Sequence, residues 1–325
     1  MTTRRTFLAQ ASAIGLTCAM GRVHAQPAGY PDKPVRIVLG LAPGASTDTG
    51  TRMLAQALSE ISPQNFIVEN RAGAGSTIAA AAVAQAAPDG YTLFMGTGSY
   101  ATSAVLYKSL SFDPVKAFTP ITQVNRFPQA IGVKADSDIR SLADLIAKAK
   151  ADPGSIMYGS TGHGGQTHLT GELFKMLAGV DMTHVPYRGA GPAILELISG
   201  RIPVAFVDLF SMLPHVKKGD VRILAVTSQQ RAALAPDAPT AKEQGIDLDV
   251  TAWLGLFAPA GTPQDVVDYL QQQVAKVSRQ PAFIDKMTQS GAELVASTPA
   301  DFNAFFQREI KLYGDVAARA KISME

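Results

Sequence analysis

Two glycine-rich stretches hold most of the residues that could do chemistry. In Leu41–Asp48 the residues Pro43, Gly44, Ala45, Ser46 and Asp48 lie between a strand-like run and a helix-like one. A loop so placed turns its backbone N–H groups, and the positive end of the helix dipole, toward an anion. Asp48, at the helix start, reads as a capping residue that holds the loop in shape. The second stretch carries Ser160, Thr161, Gly162, His163, Gly164 and Gly165, and opens a helix that bears His168. Its glycines are expected to leave backbone donors uncovered, which repeats the anion-binding arrangement. For His168 two roles stand side by side: capping or packing at the helix start, or donating to a ligand and fixing the loop.

Other chemistries fit less well. Gly96-Thr97-Gly98-Ser99-Tyr100-Ala101 follows a strand and matches a loose dinucleotide fingerprint. That reading also needs an acid about 20 residues on, and Lys116-Ala117-Phe118 offers none, so Thr97, Gly98 and Ser99 are expected in a pocket-lining loop instead. Ser160 with His163 or His168 could be imagined as the core of a secreted serine hydrolase. The nucleophile elbow places Gly two residues before the Ser, whereas Tyr158 stands there. His163 and His168 are five residues apart with no acid between them, a spacing that does not put both on one helical face, so no metal site is expected. No cofactor is implied.

The chain has 325 residues and a formal charge of +2, from 29 basic and 27 acidic side chains. So small a surplus gives no footprint for nucleic acid or a membrane surface. Residues 1–25 read as an export signal, with Arg4 and Arg5, an apolar run from Phe7 to Met20, and Val23-His24-Ala25 as a cleavage site. Thr3–Leu8 resembles the twin-arginine motif, and the general secretory route is the alternative. Cleavage removes Arg4, Arg5 and Arg22, leaving 26 basic against 27 acidic residues. It also removes Cys18, the one cysteine, and with it thiolate chemistry and disulfides. No later stretch has the roughly 18 uninterrupted apolar residues of a membrane span, so the product is expected free in the periplasm. A monomer is the expected state.

The elements that must position these loops follow from periodicity. Strand-like Val35–Leu39 leads to a helix with Met53, Leu54, Ala57 and Leu58 on one face. Phe66–Val68, a helix from Thr77 to Ala87 and a strand at Tyr91–Met95 repeat the unit. After Pro128 it begins again: strand Gln129–Val133, helix Ser141–Ala151, strand Ile156–Tyr158, the second glycine loop with its helix to Ala178, strand Thr183–Val185, helix Gly191–Ile198, and strands Ile202–Val207 and Val221–Thr227. Strand Ala252–Phe257 is followed by an amphipathic helix from Pro263 and by helices at Ala282–Ser290 and Pro299–Arg319. Such alternation predicts an α/β protein with a largely parallel sheet. Trp253 and Tyr187 are expected to pack in the core.

Several stretches, in one order along the chain, resemble a known family. They include Tyr30-Pro31-Asp32-Lys33-Pro34-Val35, Pro43-Gly44 with Asp48 and Arg52, Val68-Glu69-Asn70-Arg71-Ala72-Gly73-Ala74-Gly75, Pro88-Asp89-Gly90-Tyr91-Thr92-Leu93, His184-Val185-Pro186-Tyr187-Arg188-Gly189 and Ala258-Pro259-Ala260-Gly261-Thr262-Pro263. Together they resemble the periplasmic solute-binding receptors of tripartite tricarboxylate transporters, the Bug family. The resemblance implies a two-lobed periplasmic-binding-protein type II fold, each lobe a mixed sheet flanked by helices, joined by two hinge crossings. Lobe 1 would hold residues 26–127 plus 252–325, and lobe 2 residues 128–251. A small organic carboxylate (di-, tri- or aromatic) would close between them and be delivered to the transporter's membrane subunits; a sensor kinase in the membrane is the alternative partner. The chain departs from the family at Ala45, where a second Gly is usual, and in Phe206–Ser211, where the acid and a Pro are displaced. Asp208 then either orients water or an amino group of the ligand, or caps a turn. Phe210 adds an apolar wall that would favour an aromatic or long-chain acid.

Overall fold

The computed structural model describes residues 29–44 and 46–324, so the export signal read at residues 1–25, with Cys18, and Ala45 of the first loop lie outside the described residues. In chain order the elements are β1 (Val35–Leu39), α1 (Ser46–Ile61), β2 (Phe66–Asn70), α2 (Thr77–Ala84), β3 (Thr92–Thr97), α3 (Gly98–Leu106), β4 (Phe118–Lys134), α4 (Leu142–Ala151), β5 (Met157–Ser160) and α5 (Gln166–Ala178). There follow β6 (Thr183–Pro186), α6 (Ala190–Ile198), β7 (Val204–Asp208), α7 (Leu209–Lys217), β8 (Val221–Val226), β9 (Thr251–Pro259), α8 (Gln264–Val277), α9 (Pro281–Gln289), β10 (Glu293–Leu294) and α10 (Pro299–Ala320). None of the described helices is long and apolar enough to cross a membrane.

The strands lie in the order β2-β1-β3-β9-β4-β7-β5-β6, with β8 and β10 pairing β4 off this path. Two parallel groups, β2-β1-β3 and β7-β5-β6, flank β9 and β4, which run antiparallel to their neighbours. The sheet is therefore mixed rather than largely parallel, because the chain crosses between two halves and comes back. β4 is the shared element. Phe118–Pro128 pairs with β9, and from Gln129 onward the strand pairs with β7 and β8.

The full length of β4 is not what its sequence suggests, since only Gln129–Val133 has the expected run of strand residues. Pro120 and Pro128 argue against a central strand. Pro120 sits at a register shift, and Pro128 sits where β4 exchanges β9 for its new partners, so neither breaks a regular ladder. α3 replaces the loop expected around Gly98 and Ser99. It shows no apolar stripe because Gly98, Tyr100, Ala101, Thr102, Ser103 and Leu106 are all buried, on every side of the helix. α7 carries Pro214 inside it and was likewise not apparent from periodicity.

Packing ties the two halves together through α10. One core covers α1, α8 and α9, with Leu54, Leu58, Val267, Leu270 and Phe283 buried against the sheet. On the other face Phe302, Phe306 and Tyr313 of α10 join Phe94, Tyr100, Trp253 and Phe257. Each such buried side chain contributes about 1.5–3 kcal/mol of apolar burial. Gly255 admits the Phe302 ring, since a Cβ at that position would overlap it. Trp253 is buried as expected and donates from Nε1 to Glu309 at 2.9 Å. Asp144, three residues after the capping Ser141, donates its amide to that hydroxyl, and Thr298 caps α10 in the same way.

Candidate functional site

The C-terminal ends of β3, β5 and β7 each run into a helix, as β1 does after the first glycine loop. The starts of α1, α3, α5 and α7 converge on a cavity of about 160 Å³. Thr47, Ser99, Gln166, Thr167, Asp208 and Phe210 line it from those four helix starts and Thr161 from the loop before α5, while Phe127 and Gln129 of β4, Ala252 of β9 and Ser290 complete the wall. The first N–H groups of a helix have no intrahelical acceptor, so a cavity ringed by helix N-termini is electropositive without a cationic side chain. A site at the carboxyl ends of the strands is the usual place for a ligand in an open α/β sheet.

The polar groups around the cleft are underused. Buried side-chain atoms with no partner among the described residues are Thr47 Oγ1, Thr97 Oγ1, both amide atoms of Asn125, both amide atoms of Gln129, and Ser278 Oγ. Thr47 and Gln129 line the cleft and Thr97 ends the strand beneath it, while Asn125 lies within β4. Thr97 and Asn125 both face Leu254 in the ladder, Asn125 lies near Gly50 of α1, and Gln129 lines the cavity itself. Each such atom costs roughly 1–3 kcal/mol unless something satisfies it.

Asp48 is buried and braces the first loop: its Oδ2 accepts from the Gly44 amide at 3.0 Å and from Arg52 Nε at 3.0 Å, and its Oδ1 accepts from Asn70 at 2.8 Å. Burial alone would raise its pKa, but these hydrogen bonds, that from Arg52 first, hold the carboxyl below its ordinary value. Pro43 and Gly44 are exposed and lie outside the cavity lining.

The second loop is built differently from expectation. Its amides are engaged within the loop: Thr161 donates to Thr167 Oγ1 at 2.9 Å, Gly162 to Ser160 Oγ at 3.2 Å, Gly164 to His168 Nδ1 at 3.0 Å and Gly165 to the Gly162 carbonyl at 3.3 Å. Gly162 and Gly164 adopt φ of 153° and 68°, which favour glycine. These glycines therefore serve the loop's shape, and the donors that face the cavity from this side are those of the first turn of α5, where Gln166 and Thr167 line it. Ser160 is buried, and its Oγ lies 2.7 Å from Nε2 of His184, not from His163 or His168. His168 stacks on His184 with centroids 3.6 Å apart and fixes the loop through Gly164. Burial first, then the neighbouring rings, lowers the pKa of His168 to about 3; burial and then His163 lower that of His184 to about 4.

Ring nitrogens of His163, His168 and His184 come within 4.8 Å of one another. The arrangement does not suit a metal ion. Two rings stacked at 10° keep their lone pairs in parallel planes, and Nδ1 of His168 already accepts a backbone hydrogen bond. A neutral ring so bonded carries its proton on Nε2, the nitrogen a metal would need.

Of the residues singled out in sequence, Ser99, Thr161, Asp208 and Phe210 line the cavity, and Gly98 packs so closely on Gln166 that a Cβ would overlap its carboxamide. Asp208 caps α7, accepting from the Ser211 amide at 2.8 Å and from Ser211 Oγ at 2.9 Å, and also faces the cavity. Sequence reasoning passed over Thr47, Phe127, Gln129, Gln166, Thr167, Ala252 and Ser290. Gln166 was the most accessible of these, as the first residue of the helix the glycine loop opens. Its Nε2 donates to the Thr251 carbonyl at 2.9 Å and to Tyr313 Oη at 2.7 Å, joining α5 to β9 and α10.

A second cavity, about 680 Å³, lies behind the crossing strands among Arg126, Asp249, Arg308 and Glu309. Its wall includes Asp301 in the first turn of α10, an acid that opposes an anion there, and Arg126 is already paired with Glu293 at 2.8 Å.

Comparison with known proteins finds the same architecture and sequence pattern. The profile of the tripartite tricarboxylate transporter family receptor, TctC, matches residues 51–321. Protein BugT of Bordetella pertussis is 31% identical over 290 residues, covering 88% of this chain and 89% of that protein. An R. palustris protein solved with adipate is 33% identical with a TM-score of 0.78, covering 90% of this chain and 99% of that one. MatC from Rhodopseudomonas palustris, solved with bound malate, is 30% identical with a TM-score of 0.74, covering 88% of this chain and 99% of that one.

Proposed function

Because this chain belongs to the tripartite tricarboxylate transporter receptor family, whose members are solute-binding receptors and not enzymes, we propose that it captures a small organic carboxylate between its lobes and delivers it to membrane subunits of a tripartite carrier. The observation that carries this reading is the convergence of four helix starts on one cavity, with a buried, unpartnered amide at Gln129 in its wall. Related chains solved with adipate and malate support a carboxylate as the class of ligand. The lobes would divide where β4 changes partners, at residues 127 and 128, and again at residues 251 and 252. Closure brings the α1 and α3 starts against those of α5 and α7, and a ligand touching both sides favours the closed state. Residues 1–25 would export the chain, and the periplasm is where it would meet its ligand.

A thermal-shift and calorimetry panel of mono- and dicarboxylates tests the proposal. A ligand at about 100 times its Kd should stabilise the protein by about 2.7 kcal/mol, which raises Tm by roughly 5 °C for a chain of this size. No shift and no heat with any carboxylate would refute it.

A further inference from the structure

The cavity has no cation to spare for a second carboxylate. Among the described residues that line it there is no Lys, Arg or His, and its single ionisable side chain is the carboxylate of Asp208. Asp208 stands directly opposite Gln129 in the β4–β7 ladder. Gln129 is 1% exposed, and neither the oxygen nor the NH₂ group of its side-chain amide has a partner among the described residues. The two side chains therefore present, next to each other, a negatively charged acceptor, a neutral acceptor and a free N–H donor. Phe127 and Phe210 add apolar surface to the same cavity.

We propose that Asp208 and Gln129 select a ligand with one carboxylate and, at its far end, a nitrogen that donates hydrogen bonds, as a carboxamide or ammonium does. This deepens the carboxylate-receptor reading and rests on it. The ligand's single carboxylate takes the helix starts. Its N–H groups donate to Asp208 and to Gln129 Oε1, and a carboxamide oxygen accepts from Gln129 Nε2. A second carboxylate at that end would face Asp208 with no counter-charge, and like charges brought together in a partly buried site are strongly disfavoured. The Ser211 hydrogen bonds leave lone pairs on both Asp208 oxygens, so capping α7 and facing the ligand are compatible. Both readings offered for Asp208 by the sequence thus apply at once.

The test compares diacids with their half-amides by calorimetry at pH 7: succinate against succinamate, adipate against adipamate. The half-amide of the better-fitting length should bind about tenfold tighter or more. In D208N, which retains a capping oxygen, that preference should fall by about tenfold, through tighter diacid binding, with Tm within a few degrees of the parent. Diacids binding as tightly as half-amides, or a preference that D208N leaves intact, would overturn this inference while leaving a carboxylate receptor in place. Failure of every carboxylate to bind would overturn both.

Discussion

Replacing Glu309 by Gln should change how stability depends on pH while leaving the fold intact. Glu309 is buried on α10, accepts from Trp253 Nε1 at 2.9 Å and is hydrogen-bonded to Tyr313, which in turn accepts from Gln166 at the cavity. Burial raises its pKa from the ordinary 4.5 to about 7, against the lowering effect of the Trp253 and Tyr313 hydrogen bonds. Between those two values the native protein holds a proton that the unfolded chain releases. The stabilising proton is fully present below about pH 4.5, and its contribution is lost as pH rises through 7. At 1.36 kcal/mol per pH step the whole effect is about 3 kcal/mol, of which roughly 2.5 kcal/mol falls between pH 5 and 8. A Gln keeps the oxygen for Trp253 and removes the titration. Urea unfolding of the parent and E309Q at pH 5, 6, 7 and 8 should give a stability difference that moves in favour of the variant by that amount as pH rises. Groups remote from Glu309 titrate alike in both proteins and cancel in the difference, and the variants D249N and D249N/E309Q separate the coupling to nearby Asp249. A difference constant within about 0.5 kcal/mol over this range would refute the assignment of a buried, protonated carboxyl.

The histidine stack should act in the opposite sense. His168 and His184 stay neutral in the native state down to about pH 3 and 4, whereas unfolded histidines take up protons from about 6.5, so their contribution is intact above that value and is lost as pH falls below it; H184Q should flatten the acid limb of a stability–pH curve measured by circular dichroism. S160A removes the bond to His184 and should cost roughly 1–2 kcal/mol of stability, with ligand Kd changing less than about threefold by calorimetry. A loss of binding beyond tenfold in that variant at unchanged Tm would place Ser160 against the ligand and contradict the geometry.

How much of this was legible beforehand depends on how local each feature is. The helix with Met53, Leu54, Ala57 and Leu58 on one face, and the cap at Ser141, use partners within a few residues, so periodicity and spacing reveal them. Asp48 is no cap, but sits inside α1 and braces the loop by accepting from Gly44, Arg52 and the distant Asn70. α3 escaped because a helix buried all round has no stripe to read. The first half of β4 escaped because Pro120, Pro128 and its polar residues look unlike a central strand until the register shift and the change of partner are seen. The partner of Ser160 was not visible for a similar reason: His184 is 24 residues away in sequence but lies on the neighbouring strand β6.

The sequence by itself determined the alternation of strands and helices, the glycine loops that open helices, and the family and hence the receptor role. These depend on short-range pattern, which the chain carries wherever it goes. Only the tertiary structure decided which loop amides stay free, which side chains reach the cleft, and that Gln129 and Asp208 stand across from each other. Those facts depend on strand register and on helix starts from distant parts of the chain meeting at one point, and no spacing within the sequence encodes that meeting.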